Sequence, residues 1–352
     1  MARKVAIVLF NLGGPDKPDD VQPFLRNLFR DPAIIGAPGP IREALAWFIS
    51  KTRAPSARKN YELMGGGSPL LPESGKQAQA LIDRLQAEKT GDEYKTFIAM
   101  RYWHPFVSEA VHAVKNWDAD EVVLLPLYPQ YSTSTTGSSL TGWQHAGGGG
   151  ARIVCCYPEH PDFIKAHAGL IRDKWTNSGA PDNTRLLFSA HGLPERTVKQ
   201  GDPYQWQIEQ TATAIARELP ELPDWQICYQ SRVGPLKWIG PSTEEAIEHS
   251  ARDGKSILLT PIAFVSEHIE TLVELDEEYG ELASKNGIKT YLRVPALGVQ
   301  DGYIETLARL TLEAMNGPSG LKPPCGKRIC PTGFSKCPNH VSKHVLYADC
   351  RL

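Results

Sequence analysis

Short, continuous apolar runs recur along the chain, and each is bounded by Gly, Pro or charge. Val5–Phe10, Val122–Leu127, Leu186–Ala190 and Ile257–Ile262 are of this kind, and they predict strands buried on both faces. Stretches with helical spacing lie between them. Strand and helix patterns alternate throughout, which predicts parallel sheets flanked by helices.

The fourth of these runs leads into the stretch that organises the chain, Thr260–Glu278. Ser266 reads as a helix N-cap. Beyond it, Glu267, Glu270, Glu274 and Glu278 are spaced i, i+3, i+7, i+11, which places four carboxylates on one helical face. Ile269, Leu272, Val273 and Leu275 fall on the other faces and supply packing. A solvated acidic face is the plain alternative. His268 stands beside the carboxylates where a strand ends and a helix begins, and in open α/β sheets ligands bind there.

The pattern also repeats. Leu9–Pro15 resembles Leu187–Pro194, Ala99-Met100-Arg101 resembles Gln230-Ser231-Arg232, and Val122–Leu127 resembles Ile257–Ile262, in the same order. Three matches in sequence indicate a duplication. The reading is an α/β fold of two similar doubly wound lobes facing across a cleft lined by strand-end loops. Aligned on these matches, Gly13 is the counterpart of His191. The offset between halves falls from 178 at Leu9/Leu187 to 135 at Val122/Ile257, so the first half carries an insertion at about 31–74. This insertion holds a helix over Ile41–Thr52 with Leu45, Trp47, Phe48 and Ile49, followed by Lys51, Arg53, Arg58 and Lys59. Such a segment is either an ordinary packed helix or a membrane-surface element. The hydroxyl-rich loop Tyr128–Ser139 leads into a helix N-terminus and is either an anion site or a connector.

The 352 residues suffice for two domains of ordinary size. Hydrophobic residues at 41% and charged ones at 22% describe a soluble globular protein. A net charge of −2 argues against nucleic acid as a partner. No stretch approaches the roughly 20 apolar residues that span a bilayer. The start, MARKVAIVLFNLGGP, reads as a first strand and not a signal peptide, so a cytoplasmic location is expected. Gly254-Lys255-Ser256 precedes a strand instead of following one and is no phosphate loop. Neither a GxGxxG nor a Gly-x-Ser-x-Gly elbow is present.

What remains is His191, at the end of the first strand of the second half, with Gly192 after it. The duplicated topology brings that strand end near the one leading to Glu270. An imidazole and a carboxylate at the head of a cleft either bind a divalent metal such as Fe(II) or Zn(II), or make a base and a proton relay.

These residues lie in stretches that resemble the ferrochelatases, which insert ferrous iron into a porphyrin. The motifs are Asn11-Leu12-Gly13-Gly14-Pro15, Arg101-Tyr102 with His104-Pro105, Tyr128–Ser138, Phe188–Pro194, Tyr229–Pro235 and Pro261–Leu272, and the resemblance runs from Leu9 to about Leu312. It implies Rossmann-like lobes of the chelatase kind, with protoporphyrin IX and Fe(II) as substrates. It implies that His191 and Glu270 contact the metal and act in catalysis. It further implies that Leu12, Arg101, Tyr102, Trp238 and His268 line the porphyrin cleft. Glu267 occupies a position usually held by Asp, and with Glu274 and Glu278 it would form an acidic relay that carries protons or iron. The insertion would form the lip of the pocket and face the membrane peripherally. Coproporphyrin III or cobalt as substrate, and a non-catalytic tetrapyrrole or iron carrier, stand as alternatives. A homodimer stays open.

Seven cysteines occur, and Cys325, Cys330, Cys337 and Cys350 crowd the end of the chain. Some members of the resembling family hold a [2Fe–2S] cluster on such a tail. That implies Cys325, Cys330 and Cys337 as ligands with a fourth from Cys155 or Cys156, Cys350 being a competitor for that place and zinc or free thiols the alternatives to a cluster. The expected divisions are 1–155 for the first lobe, 156–315 for the second, which carries the metal site, and 316–352 for the Cys-rich tail.

Overall fold

The computed structural model describes residues 2–232, 236–317, 320–322 and 328–339. Two compact units result. One runs up to Cys156 and is rejoined by the chain from Leu307; the other is Tyr157–Thr306 with the segment that begins at Arg328.

The first unit holds strands β1 (Lys4–Asn11), β2 (Glu93–Met100), β3 (Glu121–Pro126) and β4 (Arg152–Val154). The second holds β5 (Thr184–His191), β6 (Trp225–Gln230), β7 (Ser256–Pro261) and β8 (Tyr291–Arg293). A last strand, β9 (Gly320–Lys322), lies within the stretch read as tail and pairs with β4. All pairings are parallel, in the orders β2-β1-β3-β4-β9 and β6-β5-β7-β8. The shared order is the topological counterpart of the sequence duplication: the first strand of each unit is central, with the second on one side and the third on the other.

The central strands are apolar throughout because both faces are covered. Val5 to Phe10 are fully buried, as are Leu186, Leu187, Phe188 and Ala190. In the first unit, Val107, Ala110, Val111 and Val114 of one helix pack with Trp143 against Val8, Phe10 and Leu124. In the second, Ala246 and Ile247 pack with Leu275 and Tyr279 against Leu187, Cys228, Ile257 and Leu259. Each large side chain so buried contributes about 2 kcal/mol. The helix Thr243–Arg252 starts where Ser242 and Glu245 cap each other, Ser242 Oγ accepting from Glu245 N at 3.1 Å and Glu245 Oε2 from Ser242 N at 2.6 Å.

The ladders correct the alignment of the halves by one residue. Leu127 N donates to Phe10 O at 2.9 Å, and Ile262 N donates to Ser189 O at 3.0 Å. Phe10 therefore matches Ser189, and the counterpart of His191 is Leu12, not Gly13. In this register Gly13 falls on Gly192 and Pro15 on Pro194 without a gap, and it is the Leu9-Phe10/Leu187-Phe188 match that is one residue out of step.

The insertion helix is longer than its pattern predicts, spanning Gly39–Glu62 with Pro55 inside. Ala46, Ser50, Ala54 and Tyr61 are buried. Phe48 is 60% and Trp47 49% exposed, with Ile41 and Leu45 also exposed. Lys51 Nζ stands 5.1 Å from the Trp47 ring. The hydroxyl-rich loop satisfies itself in part, Ser134 N donating to Ser132 Oγ at 3.2 Å before the helix Ser138–His145.

Candidate active site

In the second unit β5 delivers His191 at its C-terminal end, and β7 leads through a short turn to a π-helical segment, Glu270–Glu278. His191 Nδ1 lies 2.8 Å from Glu270 Oε2. A Cβ on Gly192 would come within 3.0 Å of Gln230 O and 3.3 Å of the Trp238 ring, so glycine is what lets the chain turn here. Ser189 Oγ donates to Gln230 Oε1 at 2.7 Å, which aims the Gln230 amide at Glu270 O (3.3 Å) and Glu274 Oε2 (3.2 Å). Ser231 adopts a left-handed conformation at φ 60°, uncommon for a residue with a side chain. That conformation lets its N donate to Glu274 Oε1 at 2.8 Å while its Oγ reaches Glu274 Oε2 at 2.5 Å and Glu270 Oε2 at 3.3 Å.

Burial alone would push the His191 imidazolium down; Glu270, hydrogen-bonded to it, and Glu274 outweigh burial and hold it above its ordinary value. Burial would raise Glu270, but His191 above all draws it well below the usual carboxylate range. Glu274 goes the other way, raised by burial and then by the Glu270 charge. His268 is 5% exposed and pushed down by burial. Its ring packs on Phe264 at 4.3 Å, and neither of its ring nitrogens has a hydrogen-bond partner among the described residues. It is 3.9 Å from Glu270 Oε2, too far for a hydrogen bond. Trp238 Nε1 is likewise buried with no partner among the described residues.

The four carboxylates do not share a face. Glu270 and Glu274 come together, but Glu267 precedes the helix and is held by Arg293 Nη1 at 2.5 Å and Ala296 N at 2.9 Å. Arg293 also pairs with Asp276, and it draws Glu267 down against the opposing effect of burial. Glu278 is exposed. Nor does Ser266 cap the helix; Thr271 Oγ1 accepts from His268 N at 2.9 Å instead. The physical reason is the π-helical i→i+5 register, which discards the 3.6-residue spacing on which the single face depended.

In the first unit, Leu12 packs beside Phe24, Tyr102 and Trp103. Tyr102 is 1% exposed, and its hydroxyl donates to Asp31 Oδ2 at 2.9 Å. Arg101 Nη2 meets the same oxygen at 2.8 Å, Arg101 Nε donates to Ser138 Oγ at 2.6 Å, and Ser138 donates to Asp31. Asp31 is thus the anchor of this group, and nothing in its local sequence marks it.

Cys155 and Cys156 are buried in the first unit, and neither is in a disulfide. The segment 328–339 packs on the second, with Lys336 N donating to Gly201 O at 3.0 Å and Phe334 6.1 Å from the Trp206 ring. Cys330 and Cys337 are both buried there, and Gln207 Nε2 donates to Cys330 Sγ at 3.1 Å. A hydrogen bond from Cys330, opposed by burial and aided by Asn339 N and Arg328, pulls the Cys337 thiol down to about 6. Cys325 and Cys350 lie outside the described residues. Among the described residues, no three His, Cys, Asp or Glu side chains group to hold a metal ion.

Parallel 2-1-3-4 sheets with a His–Glu pair at a strand end define a chelatase-like α/β protein. The structure of SirB from Bacillus subtilis with Fe3+ matches at a TM-score of 0.50 and 12% identity, over 89% of this chain and 95% of that one. The Ferrochelatase family profile matches residues 4–315. The ferrochelatase of Hyphomonas neptunium is 57% identical over 96% of this chain and 95% of its own. That of Caulobacter vibrioides is 56% identical over 96% and 98%. The chain belongs to the ferrochelatase family.

Proposed function

We infer that the chain is a lyase that inserts Fe(II) into protoporphyrin IX, forming protohaem and releasing both N–H protons of the macrocycle. The observation that carries this reading is the His191–Glu270 pair, 2.8 Å apart at the end of a central strand, in a chain that matches the family over residues 4–315. With Nδ1–H donated to Glu270, His191 presents the lone pair of Nε2. That nitrogen takes a proton from a pyrrole N–H, and Glu270 stabilises the imidazolium formed. Before protonation the same neutral imidazole and carboxylate suit Fe(II) as ligands. Trp238 and His268, in the same unit as His191, would form walls against the macrocycle. In the first unit, Asp31 holds Arg101 and Tyr102, and Leu12 packs beside Tyr102. Gripping the ring out of plane would turn its nitrogen lone pairs toward the metal.

The exposed Trp47 and Phe48 beside Lys51 fit a surface that rests on lipid, where an apolar substrate and product are soluble. Buried cysteines held outside disulfides among the described residues fit a reducing compartment, the cytoplasm. The adjacent Cys330 and Cys337, one of them drawn toward thiolate and the other accepting an N–H, fit two ligands of a [2Fe–2S] cluster. Cys325, outside the described residues, would be a third.

The test is anaerobic incubation with Fe(II) and either protoporphyrin IX or coproporphyrin III, followed by absorbance. Faster formation of protohaem is expected. Preference for coproporphyrin III would overturn the choice of substrate, and binding without metallation would make the chain a carrier.

A further inference from the structure

The carboxylate path that starts at His191 does not run down the helix to Glu278. In the π-helical segment Tyr279 N donates to Glu274 O, so the residue one π-turn beyond Glu274 is Tyr279. Its hydroxyl lies 2.9 Å from Glu274 Oε1 and 3.4 Å from Oε1 of Glu244, in the first turn of the neighbouring helix Thr243–Arg252. Tyr279 is 3% exposed, whereas Glu244 is open to solvent. On the inner side, Ser231 Oγ connects Glu270 Oε2 (3.3 Å) to Glu274 Oε2 (2.5 Å). Carboxylates thus alternate with single hydroxyls from His191 to the surface.

We propose that protons taken from the macrocycle leave along His191, Glu270, Ser231, Glu274, Tyr279 and Glu244, with the Tyr279 hydroxyl as relay and Glu244 as exit. The proposal rests on the reading that His191 accepts those protons. A hydroxyl has one hydrogen to give and lone pairs to receive with, so it can pass a proton without holding charge. At Ser231, the Glu270 carboxylic acid gives its proton to Oγ as the Oγ hydrogen moves to Glu274. At Tyr279, the Glu274 acid gives its proton to the phenol oxygen as the phenol hydrogen moves to Glu244, which releases it to water. The pass begins as the imidazolium Nδ1–H moves to Glu270; it carries one proton and leaves His191 as its Nε2–H tautomer and each hydroxyl turned the other way, so return of the imidazole tautomer and rotation of the hydroxyls restore the starting state. No electron is exchanged, and two passes accompany each iron inserted.

The test uses the full chain and three variants: Tyr279→Phe, Glu244→Gln and, on the same exposed helix face, Glu248→Gln as control. Steady-state insertion of Fe(II) is measured with and without added imidazole buffer. Tyr279→Phe and Glu244→Gln are expected to lower kcat about tenfold, leave KM for Fe(II) unchanged and, for Glu244→Gln, regain rate as imidazole rises. Glu248→Gln stays at the wild-type rate. Wild-type kcat in both variants overturns the path, as does a raised KM for Fe(II) with kcat retained, which would mean iron delivery. A loss at Glu244→Gln that imidazole does not restore also overturns it. Failure of the wild-type chain to metallate would instead remove the reading beneath it.

Discussion

Glu270 is the first residue of a π-helical segment, and its Oε2 sits 2.8 Å from His191 Nδ1. His191 ends β5 and Glu270 follows β7, its neighbour in the sheet, yet the two lie 79 residues apart in sequence. This one contact fixes the imidazole tautomer, sets both protonation states and starts the hydrogen-bond path. His191→Ala is expected to abolish insertion while porphyrin still binds, because other side chains hold the macrocycle. Glu270→Gln is expected to lower kcat by about a hundredfold or more, since an amide neither stabilises the imidazolium nor binds iron well. Porphyrin fluorescence quenching measures the binding, and absorbance the turnover.

The same contact predicts a titration. His191 is raised by Glu270 against burial, so its stabilisation of the fold is complete below the ordinary imidazole value and is lost as pH rises through the higher folded one. Glu270 is depressed, so its contribution is present above the ordinary carboxylate value and is lost as pH falls through the lower folded one. The pair is fully formed between these limits. Turnover needs the neutral imidazole, so kcat should rise with pH through the raised value of His191. In Glu270→Gln burial acts unopposed by that charge, and the His191 pKa should fall. Imidazole carbon shifts in isotopically labelled protein report it directly; an unchanged value would mean that the carboxylate is not what raises His191.

Glu267 and Glu278 should separate from Glu274. Glu267→Gln weakens its bond to a largely buried Arg293 and should cost about 2 kcal/mol of stability. Its effect on kcat should be smaller than that of Glu274→Gln. Glu278→Gln should cost little in either respect. Thermal unfolding and turnover on the same preparations check both halves, and equal kcat losses at Glu274 and Glu278 would restore the straight path down the helix.

The difference between these acids marks where sequence reasoning stopped. The strands were legible because burial on both faces forces continuous apolar runs such as Val5–Phe10. The duplication was legible because equal strand orders reuse the same turns. His191 and Glu270 were legible because one ends a strand and the other lies in the helical pattern that follows the neighbouring strand. The π-helix was not: Glu270–Glu278 holds no Gly or Pro to signal a changed period, so the 3.6-residue rule was applied where a wider turn holds. Arg293, 26 residues from Glu267, and Asp31, 107 residues from Ser138, act through contacts that no local pattern encodes. Ser231 carried a weak signal as a polar residue at a repeated strand end. Tyr279 carried no such signal.

The exposed face of the helix Gly39–Glu62 predicts lipid contact. Trp47 and Phe48 project from it with basic residues nearby, while Ala46, Ser50, Ala54 and Tyr61 face the protein. Anionic liposomes should float part of the protein at low salt, and high salt should release it. Trp47→Ala with Phe48→Ala should abolish flotation without lowering thermal stability, because neither side chain is buried. Retained flotation would place the lipid contact elsewhere.

The last prediction concerns the segment 328–339. It contains little regular structure and few apolar side chains, so burial alone gives it little reason to order. Its order comes from Arg328, which donates to Pro331 O at 2.8 Å and Phe334 O at 3.0 Å, and from the Cys330–Cys337 pair beneath. Two adjacent thiols with a thiol pulled down to about 6 and an N–H aimed at sulfur make a poor apolar core but a good thiolate site. A bound cluster would turn that arrangement into folding energy. Protein purified without oxygen should be reddish brown and hold about two iron and two sulfide per chain. Cys330→Ser and Cys337→Ser should each bleach the colour and expose the segment to protease. Gln207→Leu keeps the ligands but removes the N–H donor on Cys330, so it should retain the colour and lower the reduction potential, since hydrogen bonds to sulfur favour the reduced state. Changing Cys155 and Cys156 one at a time should identify the remaining body ligand. Colourless protein with one zinc per chain would refute the cluster and leave the pair as a zinc site, with the chemistry at His191 and Glu270 untouched.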